Sequence, residues 1–177
     1  SGGGIEELLG IPGPAIEIRT GSLCGAFGAN GGYIAGSADL LAYLAYTLPE
    51  FDACAPDFAS VGAVEKILEL SASDQSTVEK LQENIAFFQS AAQKRGIELQ
   101  GNAKSAVFPI AIGSTERAER VCKKLLQKGY YAPIASWPEM EQGQAQLRFF
   151  ISALHTQEQM GGALEALKEA LQEAQQL

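Results

Sequence analysis

The sequence predicts a mixed α/β chain whose C-terminal part is an α+β unit, a small antiparallel sheet with helices on one face. Three observations predict this fold. Residues 101–177 show apolar patterns in the order strand, helix, strand, strand, helix, which is typical of such a sheet. Residues 57–92 carry two apolar stripes of helical period. A glycine-dense stretch, residues 21–36, separates two segments that are apolar enough for strands.

The first 36 residues predict one helical turn and two strands. Residues 5–9 form the turn, which Gly10 closes. Residues 15–19 alternate apolar and charged side chains, as a strand does, and residues 32–35 form a second apolar strand after the glycine loop. Two strands alone leave open edges, so we interpret them as the remnant of a larger sheet.

Helical periodicity then dominates as far as residue 96. Two of the three predicted helices begin at a side chain that can accept a backbone N–H at the N-cap position, Ser37 in the first and Ser73 or Asp74 in the third. The predicted helices are 37–47, ended by Pro49, then 57–70, and a third that begins near Ser73 or Asp74 and ends at Gly96. We interpret their apolar stripes as core or interface rather than as a cofactor site.

The C-terminal unit is predicted from residue 106 onward. Its strands are 106–112, 130–134 and 145–151, and its helices begin at Ser114 and at Thr156. Gln159 completes a capping box with Thr156. Pro109 lies inside the first strand and predicts an edge or a bulge there.

Composition excludes several classes of function. The net charge is −8 and the basic clusters are short, so nucleic acid is not an expected partner. No run of 18 apolar residues and no basic-then-apolar leader is present, which predicts no membrane partner and a cytoplasmic location. Three separated cysteines and a lone histidine form neither a disulfide framework nor a metal-site pattern; these residues are Cys24, Cys54, Cys122 and His155.

The glycine loop carries the most specific pattern. Residues 22–28 read Ser-Leu-Cys-Gly-Ala-Phe-Gly. They resemble the cofactor-lysine loop of the α-oxoamine synthases, enzymes that use pyridoxal phosphate (PLP) to join an amino acid to an acyl-CoA with loss of CO2. The lysine that holds PLP as an aldimine falls at Gly25, so the resemblance implies no catalytic residue in this chain. It also implies a vestigial cofactor site, with Ser22 at the phosphate-binding threonine position and Gly28 preserving the loop shape.

Two further segments resemble the same family. Residues 51–57 read Phe-Asp-Ala-Cys-Ala-Pro-Asp and stand in the place of the family's F-S-T-A-L-P-P. The threonine that reaches the cofactor phosphate of the dimer partner is replaced by Ala53. Residues 145–156 read Ala-Gln-Leu-Arg-Phe-Phe-Ile-Ser-Ala-Leu-His-Thr, similar to A-R-L-R-x-x-x-S-A-x-H-T.

By this resemblance, Arg148 would pair with the carboxylate of an amino-acid substrate, a task that suits its planar set of donors. An alternative stays open, in which the guanidinium is tied to a local carboxylate or to backbone carbonyls. We interpret His155 as part of the helix start rather than as a catalytic or metal-binding group.

The resemblance covers nearly the whole chain but only the C-terminal half of a family protein, a fold-type I PLP transferase. It implies three parts: residues 1–50 as a remnant of the PLP-binding large domain, 51–100 as linking helices and 101–177 as the C-terminal small domain. We therefore expect a fragment or pseudoenzyme of a PLP-dependent acyl-CoA:amino-acid C-acyltransferase. It would bind no cofactor alone and would be inactive alone.

Three functional hypotheses follow. In the first, the chain acts by association as a homo- or hetero-oligomer with a family member, as in serine palmitoyltransferase-like heterodimers, through the helices 37–47 and 57–70. In the second, it is an active α-oxoamine synthase, similar to 8-amino-7-oxononanoate synthase, when joined to its N-terminal half or to a partner chain. In the third, it is a binding module that uses Arg148 for a small carboxylate.

Overall fold

The structure, a computed structural model, describes residues 4–49, 55–102 and 104–174. It divides the chain into two compact units, Ser1–Gln75 and Ser76–Leu177. The boundary falls inside the range 51–100 that the sequence predicts as linking helices, and the three-part division of the chain stays a prediction. Ala53, which the resemblance places at the position of the family's threonine, lies outside the described residues, as does the rest of residues 51–54.

The described residues of the first unit form a two-stranded antiparallel sheet and three α-helices. The sheet pairs β1 (Arg19–Ser22) with β2 (Gly32–Ala35), and the glycine loop connects the two strands. The helices are α1 (Ile5–Leu9), α2 (Ala38–Thr47) and α3 (Phe58–Ser73).

The helix starts in this unit are those predicted. Ser37 accepts the N–H of Leu40 at the start of α2, and Asp57 accepts the N–H of Ser60 at 2.8 Å at the start of α3. Each side chain satisfies a donor that the first helical turn cannot pair. The sequence therefore predicted the start of α2 from cap chemistry, whereas it predicted the start of α3 from apolar spacing alone.

The predicted strand at residues 15–19 is wrong. A 3-10 turn occupies Gly13–Ala15, and β1 begins only at Arg19. Pro14 sits in the first turn of this short helix, where its fixed φ is favourable. Arg19 then holds the turn, because its guanidinium donates to the carbonyls of Gly13 and Ile16 and pairs with Glu6 through two N–H donors.

In the second unit, the part of the chain that the structure describes forms three helices and a three-stranded antiparallel sheet in the order β3, β5, β4. The strands are β3 (Val107–Gly113), β4 (Ile134–Ala135) and β5 (Ala145–Phe150). The helices are α4 (Ser76–Lys94), α5 (Thr115–Gln127) and α6 (Gln157–Glu173). The small antiparallel sheet and its strand and helix order are confirmed, as is the capping box of Thr156 and Gln159.

Two proline residues, Pro109 and Pro133, lie in or next to the strands of this sheet. β3 is an edge strand, the first of the two alternatives that Pro109 predicts, and its register shifts farther along, between Ala111 and Gly113, while Pro109 itself pairs in register with Arg148. The predicted strand at 130–134 is largely wrong, because β4 holds only Ile134 and Ala135. Pro133 has no N–H for the ladder, although its carbonyl still accepts the N–H of Arg148 at 3.0 Å.

The core of the second unit lies between the sheet and the three helices. Phe88 of α4 is fully buried, and its ring lies 5.1 Å from that of Phe108 and 5.7 Å from that of Phe149, measured between centroids. Helices α5 and α6 add side chains of helical spacing to the same cluster; the fully buried ones are Ala118, Val121, Leu125, Leu164 and Leu167. The helices therefore cover one face of the sheet.

One buried polar side chain ties α4 to the segment before α6. Asn84 is 1% exposed, and its amide nitrogen donates to the carbonyls of Ser152 at 2.9 Å, Ala153 at 3.4 Å and His155 at 2.9 Å. These carbonyls belong to a loop that makes no ladder hydrogen bonds of its own. The Asn84 amide therefore determines the path of the chain between β5 and α6.

We predict that Asn84→Ala lowers the free energy of unfolding by about 2 kcal/mol, because three partly buried carbonyls each lose a hydrogen bond from the Asn84 amide. Urea denaturation followed by circular dichroism measures the change. Gln127→Ala, at an exposed position of α5, is the control and should change stability by less than ~0.5 kcal/mol. Equal stability of the Asn84 variant and its control would contradict this role for the amide.

Candidate functional site

The glycine loop is closed by backbone hydrogen bonds at both ends. The N–H of Leu23 donates to the carbonyl of Gly31 at 2.9 Å, and the N–H of Ala29 donates to the carbonyl of Leu23 at 2.9 Å. Inside this ring, the N–H of Gly28 donates to the carbonyl of Gly25 at 3.2 Å. The shape of the loop therefore rests on main-chain groups and not on the identity of the side chain at position 25.

The predicted site residues of the loop have different local requirements. Gly28 has a φ of +57°, a left-handed conformation that favours glycine. Gly25 has no such φ, and a Cβ built on it meets nothing within 4 Å. The hydroxyl of Ser22 accepts the N–H of Cys24 at 3.1 Å. The loop thus has room for a side chain at position 25, but its sequence supplies no amine there.

A contact that the sequence analysis missed anchors this loop to α3. The N–H of Asn30 donates to the hydroxyl of Ser60 at 3.2 Å, and that hydroxyl donates to Asp57 at 3.0 Å. The backbone N–H of Ser60 and then its hydroxyl lower the pKa of the Asp57 carboxyl. No signal in the sequence predicted the contact between Asn30 and Ser60, which lie thirty residues apart.

In the second unit, Arg148 lies on the face of the sheet opposite the helices. Side chains along β5 alternate between the two faces of the sheet. Leu147 and Phe149, the sequence neighbours of Arg148, are buried on the core side. Arg148 shares the other face with Gln146, which is 7% exposed. The arginine side chain is itself partly buried, so its donors are held in a defined place.

The guanidinium of Arg148 has two partners within this unit. Its Nη1 donates to the carboxylate of Glu139 at 2.7 Å. The amide oxygen of Gln146, in the orientation that satisfies both groups, accepts from Nε at 2.9 Å and from Nη2 at 3.1 Å. A tie to a local carboxylate, one of the two alternatives left open by the sequence, is therefore present. The substrate-binding role of Arg148 stays a prediction.

Neither partner of Arg148 was predicted. Gln146 is its neighbour at period two on the same strand, so alternation along β5 was a usable signal. Glu139 lies in the connection between β4 and β5, and no periodicity reports the path of such a loop.

His155 contributes to the start of α6. Its Nδ1 accepts the N–H of Ser152 at 3.0 Å, and its carbonyl accepts from Asn84. Both contacts belong to the turn that precedes the capping box. The ring also lines a cavity of about 440 Å³ whose other walls are mostly apolar, with Phe88, Phe149 and Met160 among them.

The described part of the chain has no arrangement of side chains typical of a metal site. Residues 4–49, 55–102 and 104–174 contain no group of three or more His, Cys, Asp or Glu side chains that could hold a metal ion. Cys24 is exposed, while burial raises the pKa of the Cys122 thiol.

Among the described residues, no helix combines the length and the apolar character that crossing a membrane requires.

Comparison with known proteins decides the family. The family model for class I and II aminotransferases matches residues 12–167. The chain belongs to this family. As a class I and II aminotransferase homologue, it is 32% identical to 8-amino-7-oxononanoate synthase 1 of Bacillus velezensis over 177 residues, which are 99% of this chain and 44% of the relative.

Solved structures show the same fold. A structure of SPT with a PLP internal aldimine superposes with a TM-score of 0.83 at 22% identity, over 98% of this chain and 44% of that one. A serine palmitoyltransferase from Sphingomonas wittichii gives 0.82 at 21% identity, over 99% and 44%. This class I and II aminotransferase homologue thus spans less than half the length of the relatives that it matches.

These comparisons confirm the resemblance to the α-oxoamine synthases and the C-terminal part of a fold-type I architecture. The family depends on PLP. At position 25, where the resemblance predicts the lysine that holds this group, the chain has no amine for covalent attachment. The hydroxyl of Ser22 is the one polar side-chain group of the predicted cofactor site.

We predict that Gly28→Ala weakens the glycine loop by about 1 kcal/mol, because alanine is strained at a left-handed φ. Hydrogen exchange of the Ala29 amide, whose N–H closes the loop, should then accelerate by about fivefold. Gly25→Ala is the matched control and should leave exchange unchanged within about twofold, since the added Cβ meets open space. Equal acceleration in both variants would contradict the local geometry.

Proposed function

We propose that this chain is a non-catalytic, cytoplasmic member of its family that acts in association with a family member, as a homo- or hetero-dimer. The observation that carries the proposal is Gly25. A PLP-dependent acyltransferase needs an amine to hold the cofactor as an aldimine, and glycine cannot supply one. What the chain retains is the shape of the loop together with Arg148, for which we propose binding of a small carboxylate.

The exposed face of α3 supports the association. Phe58 is 98% exposed, and Val61 and Leu68 lie within the same quarter of the helix and are also exposed. Apolar side chains grouped on one helix face are typical of a surface that another chain covers. The sequence predicted one apolar stripe on this helix. In the structure, Val64 and Ile67 of that stripe are half-buried, whereas its three other members face outward.

A second candidate is favoured by the names of the relatives. The chain matches 44% of an 8-amino-7-oxononanoate synthase and 44% of an SPT that carries a PLP internal aldimine. When joined to an N-terminal half or to a partner chain that supplies the missing groups, it would then be part of an active acyl-CoA:amino-acid acyltransferase. Retention of PLP separates this candidate from the first.

We predict that the protein is an oligomer, and that Leu68→Asp weakens its association at least tenfold, because a charge replaces apolar surface at the proposed contact. Size-exclusion chromatography with light scattering, over a series of protein concentrations, measures the mass. Leu126→Asp is the matched control: Leu126 is 60% exposed against 55% for Leu68 but lies on α5 of the other unit. A monomeric wild-type protein at every concentration would count against association.

We predict that the wild-type protein, mixed with PLP and then desalted, keeps no visible aldimine absorbance, because position 25 carries no amine. Gly25→Lys should gain a pyridoxyl label at residue 25 after borohydride reduction, detected by peptide mapping. Labelling of exposed Lys104 in the same samples measures the background. A wild-type protein that stays yellow through desalting would support the active alternative instead.

A further inference from the structure

Arg148 meets its partners on two different sides of the guanidinium. A guanidinium can bind a carboxylate through two N–H donors along the side that holds Nε and Nη2, or through the terminal amino groups Nη1 and Nη2. The amide oxygen of Gln146 already accepts from both donors of the first side, at 2.9 and 3.1 Å. The side that Gln146 leaves unpaired is therefore the one that includes Nη1.

Glu139 occupies that remaining side. Its Oε2 lies 2.7 Å from Nη1 of Arg148. The acidic side chain thus supplies, from within the chain, the same chemical group that an amino acid or another small carboxylate would present to the arginine.

The backbone holds Glu139 at this position. Its N–H donates to the carbonyl of Ser136 at 2.8 Å, and the N–H of Met140 donates to the same carbonyl at 3.1 Å. This turn follows directly after β4, which pairs with β5 at Gln146 through Ala135. The short connection between β4 and β5 therefore keeps the Glu139 carboxylate close to the strand that carries Arg148.

The two partners of Arg148 differ in how readily a ligand can displace them. The side chain of Glu139 is 61% exposed, whereas Gln146 is buried in the sheet. An exposed ion pair is weak, because water solvates both charges when the pair opens. Glu139 is thus the partner that yields, and Gln146 remains to orient the guanidinium.

We infer that Glu139 is an internal competitor for the carboxylate site of Arg148: it covers the arginine when no ligand is present and sets the affinity for small carboxylates. This inference rests on the proposed carboxylate-binding role of Arg148. Glu139 is not a catalytic residue here. An anion must compete with the Glu139 carboxylate for Arg148, so anions that bind the arginine weakly are disfavoured.

Titration with L-alanine and, separately, with acetate tests the inference, with the backbone amide resonances of Gln146 and Leu147 as the readout in nuclear magnetic resonance, because these amides are present in every variant. Glu139→Gln should tighten binding of both probes by about two- to fivefold, as expected for loss of an exposed competing pair. Glu141→Gln is the matched control. Glu141 lies in the same connection, but its carboxylate accepts from Gln144 at 2.9 Å rather than from Arg148.

The outcomes separate the inference from the proposal on which it rests. Tighter binding in Glu139→Gln alone, abolished when Arg148→Gln is added, supports the inference. Binding by the wild type that Glu139→Gln leaves unchanged, or that Glu141→Gln tightens equally, overturns the inference but leaves the carboxylate site of Arg148 in place. Absence of any saturable shift in Glu139→Gln overturns both, and binding that persists without Arg148 does the same. None of these results bears on the oligomeric state.

Discussion

Side chains along β5 alternate between the covered core and the open face of the sheet, and the second unit depends on this alternation. Leu147 and Phe149 pack under the helices, while Gln146 and Arg148 face away from them. A shift of one residue would place a guanidinium in the core and remove two large apolar side chains from it. The burial of the core therefore also fixes which face presents the arginine.

The amide of Asn84 extends the same constraint beyond the strand. By donating to carbonyls at residues 152, 153 and 155, it holds the exit of β5 against α4, at the place where the chain turns into α6. The motif that resembles the family here is thus largely structural at its C-terminal end: His155 and Thr156 contribute to a turn and a cap. Arg148 is the member of the motif whose donors face outward.

Much of the fold was predictable from the sequence, and the errors have physical causes. Cap residues and helical periods predicted the helix starts at Ser37, Asp57, Ser114 and Thr156 because those signals are local. The strand at 15–19 failed because a proline turn and long-range contacts of Arg19 overrode alternation. In the candidate site, Arg148 was predicted but Glu139 was not, since the pairing depends on the route of a loop. The glycine loop illustrates the same limit, because its main-chain hydrogen bonds do not involve a side chain at position 25.

The outer edge of β3 has a consequence for how other chains can meet this sheet. Pro109 lacks an N–H, the register is interrupted between Ala111 and Gly113, and the carbonyl of Pro109 already accepts the N–H of Gln100 at 2.8 Å. An extended strand from another molecule would find few free main-chain groups in register there. This edge is thereby disfavoured for edge-to-edge polymerisation, and recognition at this border would have to proceed through side chains instead of strand addition.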